Sequence, residues 1–299
     1  MQGSPPRCRR PGAQLNWADD SPATLDGSVP RVVCALGPPV DARTAVPGPA
    51  GDAVNALLAF DTATERLSVA LAVGDRVHTH DAEGGALASA ALLPAIQALL
   101  ATAGIGMRAL DAIAFGRGPG AFTGLRTACS VAQGLAFGLG RPVLPIDTLL
   151  AVAEDARGHA TEPLRMWVAM DARMDEVYAA QYRYAGGAWE ELDAPCLVRP
   201  EALAARWSAD PPEAIAGNAL GVFAGRWSTG AARCHPLALP RAEGMLRLAR
   251  ALWARGGAVD AAHALPLYVR DKVAQTTHER DLARAAGQVA AQVVSEAGS

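Results

Sequence analysis

Residues 111–126, DAIAFGRGPGAFTGLR, take a short apolar strand through four glycines and a proline into the first turn of a helix. Glycine reaches positive φ and lets one backbone approach another closely, while the free N–H groups at a helix start carry partial positive charge. Such a turn suits an anion cradle and a tightly packed junction equally well. Two familiar phosphate loops do not fit it. A P-loop needs Lys and then Ser or Thr after its last glycine, whereas Gly124 is followed by Leu125 and Arg126. The dinucleotide fingerprint needs G-x-G-x-x-G, and Gly118, Gly120 and Gly124 are spaced one residue too wide.

Residues 57–73, LLAFDTATERLSVALAV, add a second constraint. Apolar residues lead to Asp61, Thr62 and Thr64; then Leu67, Val69, Leu71 and Val73 alternate with smaller or polar residues, the period of a strand with one buried face. The pattern predicts a hairpin with a polar tip. An Asp and two hydroxyls at such a tip can hold a nucleotide phosphate and orient a magnesium-bound water, or can brace a tight turn through side-chain to backbone hydrogen bonds.

Taken in order, FDTATERLSVAL, LLPAIQALL, FGRGPGAFTGLRTACSVAQGLAFG, AMDARMDEVYAAQY, and AEGMLRLARAL ahead of LPLYVRD resemble the bacterial TsaB (YeaZ) family over residues 57–274. The resemblance implies an α/β chain of the two-lobed ASKHA type, shared with actin, Hsp70 and sugar kinases, with a mixed sheet and flanking helices in each lobe. The first lobe is expected over residues 55–162 and the second over 163–275. The family's role is in forming threonylcarbamoyladenosine next to the anticodon of tRNA. A member is a non-catalytic scaffold that binds its catalytic paralogue TsaD, joined by the ATPase TsaE, and meets tRNA only through the complex. Its partner surface can also pair with itself as a homodimer. By the same resemblance Asp61, Thr62, Thr64, Gly118 and Gly120 are expected to form a degenerate or shared nucleotide site. No cofactor of its own is implied, with ATP or ADP held at the interface with the partner. Two positions depart from the family pattern: Ala88 stands where relatives often keep a His, and Asp175 where they usually have Gly.

The residues themselves point away from catalysis. Catalysis by the paralogue uses a metal held by a His-x-x-x-His pair and an Asp, and no two of the six histidines here are four apart. His78 and His80 can share one strand face, but with no third ligand nearby an exposed face is expected and no metal site is predicted. The five cysteines lack C-x-x-C spacing, and there is no G-x-S-x-G elbow. Asp171, Asp175 and Glu176 in DARMDEVY read as solvated or salt-bridged carboxylates at a hairpin tip. The competing reading is an autonomous ASKHA enzyme, a small-molecule phosphotransferase or metal-dependent hydrolase, which would turn over ATP alone.

Two helices are candidates for the partner surface. Residues 86–103 place Leu92, Leu93, Ile96, Leu99 and Leu100 at helical spacing, and residues 122–139 do the same with Leu125, Ala128, Ala132, Leu135, Ala136 and Leu139. Their apolar breadth exceeds one core face, so Leu92, Ile96, Leu125, Ala128, Ala132 and Leu135 are the expected partner contacts. Further along, MWVAMDA and EVYAAQYRY read as strands, 200–207 and 241–255 as helices, AIAGNAL as a strand ending at Gly217, and 265–270 as an extended piece.

With 27 basic and 30 acidic residues the net charge is −3, which offers no broad cationic field for tRNA phosphates. Hydrophobic residues make up 51% of the chain, yet no uninterrupted run nears the roughly 18 needed for a membrane helix. Unpaired cysteines fit a reducing compartment, so a cytoplasmic protein without membrane contact is expected. Residues 1–54 hold nine of the 21 prolines and no sustained periodicity, and are expected to be disordered. Because TsaB-like chains begin almost at the first strand, translation is expected to start at Val54 from an alternative initiation codon. In the tail, 276–299, Leu282, Ala286, Val289 and Val293 are spaced as a short amphipathic helix.

Overall fold

The computed structural model describes residues 54–270. The expectations for the N-terminal extension and the C-terminal tail lie outside the described residues. Strand β1 (Ala56–Asp61) sends Leu58 and Phe60 to one side of its sheet and Leu57 and Ala59 to the other. Strand β2 (Arg66–Val73) returns antiparallel with Phe60 opposite Val69, and β3 (Arg76–Glu83) forms the edge. The edge position explains why His80 is exposed and His78 half-buried.

Helix α1 (Ala88–Ala103) leads to β4 (Ala112–Gly118), which lies parallel to β1. Helix α2 (Phe122–Leu139) then leads to β5 (Val143–Asp147), parallel to β4. The strand order is β3-β2-β1-β4-β5. Helix α3 (Thr148–Arg157) crosses to a second sheet of β6 (Leu164–Asp171), β7 (Val177–Ala185) and β8 (Ala188–Val198). Helix α4 (Pro200–Ala209), β9 (Ala214–Ala216), the short α5 (Ala219–Val222), β10 (Arg233–His235) and α6 (Ala242–Ala254) complete the described chain.

The second sheet has the order β8-β7-β6-β9-β10, with β6–β7 and β7–β8 antiparallel and β6–β9 and β9–β10 parallel. It therefore repeats the first sheet strand for strand. Two such mixed sheets with helices on their faces are the two-lobed ASKHA-like α/β fold.

Buried residues divide into layers. One face of the first sheet packs on α1 and α2 through Leu92, Ile96, Leu99, Ala128 and Ala132. The opposite face packs on α6 through Ala242, Met245, Leu246 and Ala249. Helix α3 touches both sheets, with Leu149 and Val152 against Met166 and Val168 of β6. Trp167 and Ala169 face the other way, onto Leu203, Trp207 and Phe223 from α4 and the α5 end. The expected division at 162/163 places α6 with the second lobe. Residues 242–254 come late in the sequence but cover the first sheet, because its second apolar face needs a partner and α3 is too short to supply it alone.

A buried ion cluster ties these layers together. Glu154 on α3 is 2% exposed and accepts hydrogen bonds from Arg157 (2.6 Å), Arg247 of α6 (2.5 Å) and Trp189 of β8 (2.8 Å). Burial raises its pKa, but the bonds from Arg157, Arg247 and Trp189 outweigh that and hold the carboxyl below its usual range.

The stretch Gly85–Ala103 is long and apolar enough to cross a membrane by length and composition. Here it lies along the first sheet with Leu92, Ile96, Leu99 and Leu100 buried.

Candidate functional site

Strand β1 ends at Asp61 beside the glycine turn that follows β4, because Phe60 pairs with Phe115 in the parallel register. The neighbour of Asp61 is therefore Gly116. A Cβ built on Gly116 would lie 1.7 Å from Asp61 Oδ2, so only glycine admits the carboxylate there. Asp61 Oδ1 accepts from the Ala63 N–H at 2.7 Å, and Oδ2 accepts from the Thr148 hydroxyl at 2.9 Å. The Thr148 oxygen accepts in turn from the Gly118 N–H at 3.1 Å.

The next two residues of the hairpin tip press onto the start of α2. Thr62 Oγ1 donates to the Gly124 carbonyl at 2.7 Å, and the Ala121 N–H donates to the Ala63 carbonyl at 2.8 Å. A Cβ on Gly124 would meet Thr62 O at 1.9 Å, and one on Gly120 would meet Ala63 O at 2.5 Å. The carbonyl oxygens of Thr62 and Ala63 thus fill the glycine cradle. Of the two uses open to this turn, the chain adopts the packed junction.

The residues expected as nucleotide contacts fall in two places. Asp61 is 1% exposed and Thr62 fully buried, with both side chains committed to bonds inside the first lobe, and Gly118 is buried as well. Burial pushes the Asp61 carboxyl up to about 6, against smaller lowering from the Ala63 amide and the Thr148 hydroxyl.

Thr64 and Gly120 instead line a cleft of about 250 Å³ between the two sheets. Its other walls include Phe122, Met174, Tyr178 and Tyr268. Charges at its rim pair with one another: Arg173 reaches Glu65 at 2.7 Å and Asp171 at 3.1 Å, and Arg270 reaches Glu176 at 2.7 Å. Among the described residues no group of three His, Cys, Asp or Glu side chains is placed to hold a metal.

The DARMDEVY segment forms the β6–β7 turn. Arg173, Met174 and Asp175 all adopt the left-handed conformation, with φ of 61°, 55° and 60°. At Asp175 the backbone takes a conformation that a Gly would adopt without cost. Its carboxylate is gripped by Arg226, which also holds Glu201 and keeps Asp175 below the usual carboxylate range. A left-handed residue with a side chain costs roughly 1–2 kcal/mol, so this turn persists only because such contacts hold it.

The residues expected as partner contacts lie mostly within the core. Leu92, Ile96, Ala128 and Ala132 are 0% exposed and Leu125 is 1%, all under the chain's own first sheet or turn, while Leu135 is half-buried. Helical periodicity marks the face that the core takes, and these residues are that face. The outward face of the same helices is built differently. Helix α1 has no charged residue along its length and exposes Ala90, Leu93, Pro94, Gln97 and Ala98. Helix α2 exposes Ser130, Gly134, Phe137 and Gly138, with Phe137 86% exposed. A Cβ on Gly134 or Gly138 would meet nothing within 4 Å.

Comparison with known proteins places this architecture. The family described as "TsaD: tRNA N6-adenosine threonylcarbamoyltransferase" matches residues 79–226. The Escherichia coli "tRNA threonylcarbamoyladenosine biosynthesis protein TsaB" is 37% identical over 224 residues, 73% of this chain and 96% of that protein. The Haemophilus influenzae protein of the same name is 36% identical over 229 residues, 73% of this chain and 94% of its own length. The structure of YeaZ from Pseudomonas aeruginosa superimposes with a TM-score of 0.66 at 42% identity, covering 72% of this chain and 99% of that one. A second structure from that organism, described as having similarity to peptidase YEAZ, gives 0.67 at 42% identity. Matched along almost the whole of these relatives, the chain belongs to the TsaB (YeaZ) family, whose members are named for the biosynthesis of threonylcarbamoyladenosine in tRNA.

Proposed function

We propose that this chain is a non-catalytic scaffold subunit that binds a TsaD-like catalytic paralogue through the outward faces of α1 and α2. A TsaE-like ATPase joins the pair, and tRNA meets the chain only within that assembly. The observation that carries this reading is the outer surface formed by α1, which has no charged residue, and by α2 beyond its exposed Arg126, where Ser130, Gly134, Phe137 and Gly138 are uncharged and Phe137 projects. Exposed helix faces ordinarily carry Lys, Arg, Glu and Asp, and a contiguous surface without them is the composition of an interface core. Small residues let a second helix come close, and a projecting aromatic gives it an anchor. Family membership adds support, since the relatives are named for the pathway that makes threonylcarbamoyladenosine. In this reading an adenine nucleotide is held by the partner subunits, because Asp61 and Thr62 are engaged within the lobe. The same face, left unpaired, can join two copies of this chain.

Co-purification with the paralogue from the same genome tests the proposal. Phe137→Asp and Gly134→Arg are each expected to weaken the complex at least about tenfold while leaving thermal unfolding of the isolated chain nearly unchanged, since both sites face open space. Undiminished binding by both variants, or tRNA threonylcarbamoylation that proceeds in cells lacking the chain, would rule the proposal out. ATP turnover by the chain alone would favour an autonomous enzyme.

Gly134→Ala serves as the matched control for stability. It fills open space in a helix interior, so the isolated chain is expected to gain roughly 0.5–1 kcal/mol, read as a shift in urea midpoint.

A further inference from the structure

After α6 the chain runs back along α2 and then crosses the cleft. The Ala264 carbonyl accepts from Cys129 Sγ at 3.1 Å and from Gln133 Nε2 at 2.9 Å. The Leu267 N–H donates to the Arg117 carbonyl at 2.7 Å, at the end of β4. Tyr268 packs on Phe122 with ring centroids 5.4 Å apart, and Arg126 lies 3.8 Å over the same Phe122 ring while its Nε donates to the Tyr268 hydroxyl at 3.3 Å. Every one of these contacts is to the first lobe.

Two residues beyond Tyr268 the contacts change sides. Arg270 Nη2 donates to the Ala172 carbonyl at 2.9 Å, and Nη1 lies 2.7 Å from Glu176 and 3.4 Å from the Met174 sulfur. All three partners belong to the β6–β7 turn of the second sheet, the turn with three consecutive left-handed residues. A second tie closes the same mouth, where Arg173 of that turn meets Glu65 of the β1–β2 turn. The Arg270 and Glu176 side chains are 16% and 27% exposed, whereas those of Arg173 and Glu65 are 70% and 77% exposed. Solvent screens the second tie much more than the first, so Arg270 is the stronger of the two.

We propose that residues 264–270 form a clasp between the lobes, in which Tyr268 anchors on α2 and Arg270 holds the β6–β7 turn in its left-handed conformation, fixing the width of the cleft. A turn that disfavoured needs an outside hold to persist, and the clasp supplies one at Ala172, Met174 and Glu176. The side that faces the first lobe is the inner flank of α2, so the clasp links that helix to a turn on the opposite lobe. This inference does not depend on which partner, if any, occupies the outer face of α2.

Amide hydrogen exchange on the full chain tests it, comparing wild type with Arg270→Ala, Tyr268→Ala and, as a control at an exposed strap position, Leu265→Ala. Arg270→Ala is expected to speed exchange of the Leu267 amide, across the cleft from its own partners. Tyr268→Ala, which removes the ring contact to Phe122 and the hydrogen bond from Arg126 in the first lobe, is expected to speed exchange at Ala172 and Glu176 on the order of tenfold by releasing Arg270. Leu265→Ala should leave all three sites at wild-type rates. Wild-type exchange at Ala172 and Glu176 in Tyr268→Ala, with faster exchange confined to the strap, overturns the proposal. So does an equal response to Leu265→Ala. Arg270→Lys keeps the charge but loses the fork that spans Ala172 and Glu176, and should fall between Arg270→Ala and wild type.

Discussion

Gly124→Ala is expected to cost the chain on the order of 4 kcal/mol or more, enough to remove most of it from the soluble, cooperatively unfolding fraction. The added methyl would stand 1.9 Å from the Thr62 carbonyl oxygen and 2.9 Å from its carbon. Both are backbone atoms in the β1–β2 turn, so no side-chain rotation relieves the clash. Moving Thr62 aside would break its hydroxyl bond to Gly124 and draw Asp61 away from Thr148. The same methyl ten residues along α2, at Gly134, meets nothing. Measured side by side in urea, the two Gly→Ala changes should therefore move stability in opposite directions, although helix propensity alone favours alanine at both. A Gly124→Ala protein as stable as wild type would mean that the hairpin tip does not sit on the glycine turn.

Asp61→Asn is expected to change the pH dependence of stability by about 3 kcal/mol between pH 4 and 7.5. Burial penalises the charged form and pushes the folded carboxyl up to about 6 from its usual 3.8. A raised carboxyl pKa means that the folded state binds more proton than the unfolded state between those two values. Stability carried by the neutral form is complete below the unfolded pKa and is lost as pH rises through the folded one. Wild type should accordingly lose this contribution from about pH 4 to pH 6, and the amide, which never ionises, should not. Other carboxylates such as Glu154 act in the opposite sense in both proteins, so the informative quantity is the variant minus wild-type difference in unfolding free energy. That difference should move in favour of Asn as pH rises. A constant difference across the range would show that Asp61 is solvated rather than sealed.

The sequence carried the architecture in its periodicities. The apolar run LLAFD and the alternation in RLSVALAV marked β1 and β2 as strands, although the expected single buried face of β2 is in fact two, because α6 covers the other side; the apolar spacing of residues 122–139 marked α2. Those same spacings mark the face that the core takes. A buried face advertises itself by large apolar residues at regular intervals, whereas the outer face is distinguished only by the lack of charge along α1 and by Gly134 and Gly138 on α2, a weaker signal. The role of Asp61 was similarly hidden. Its sealing depends on Thr148, which is 87 residues away, and on the missing side chain at Gly116, neither of which belongs to the DTAT motif. Edge strand β8 was not evident because its burial pattern is largely exposed and its sequence carries Glu190, Glu191 and Asp193 in place of an apolar alternation.

The late return of α6 to the first sheet sets the order in which this protein can mature. Leu57 and Ala59 come off the ribosome early, but Met245 and Ala249, which shield them from water, are among the last described residues to be synthesised. Val259, which bridges to Val143, follows later still. Until then one side of the earliest sheet, covered only in part by α3, leaves apolar surface open to water, a state that favours aggregation or chaperone capture. The amino-terminal half therefore cannot mature as an independent piece, and a fragment ending before α6 should precipitate unless that helix is added back in trans.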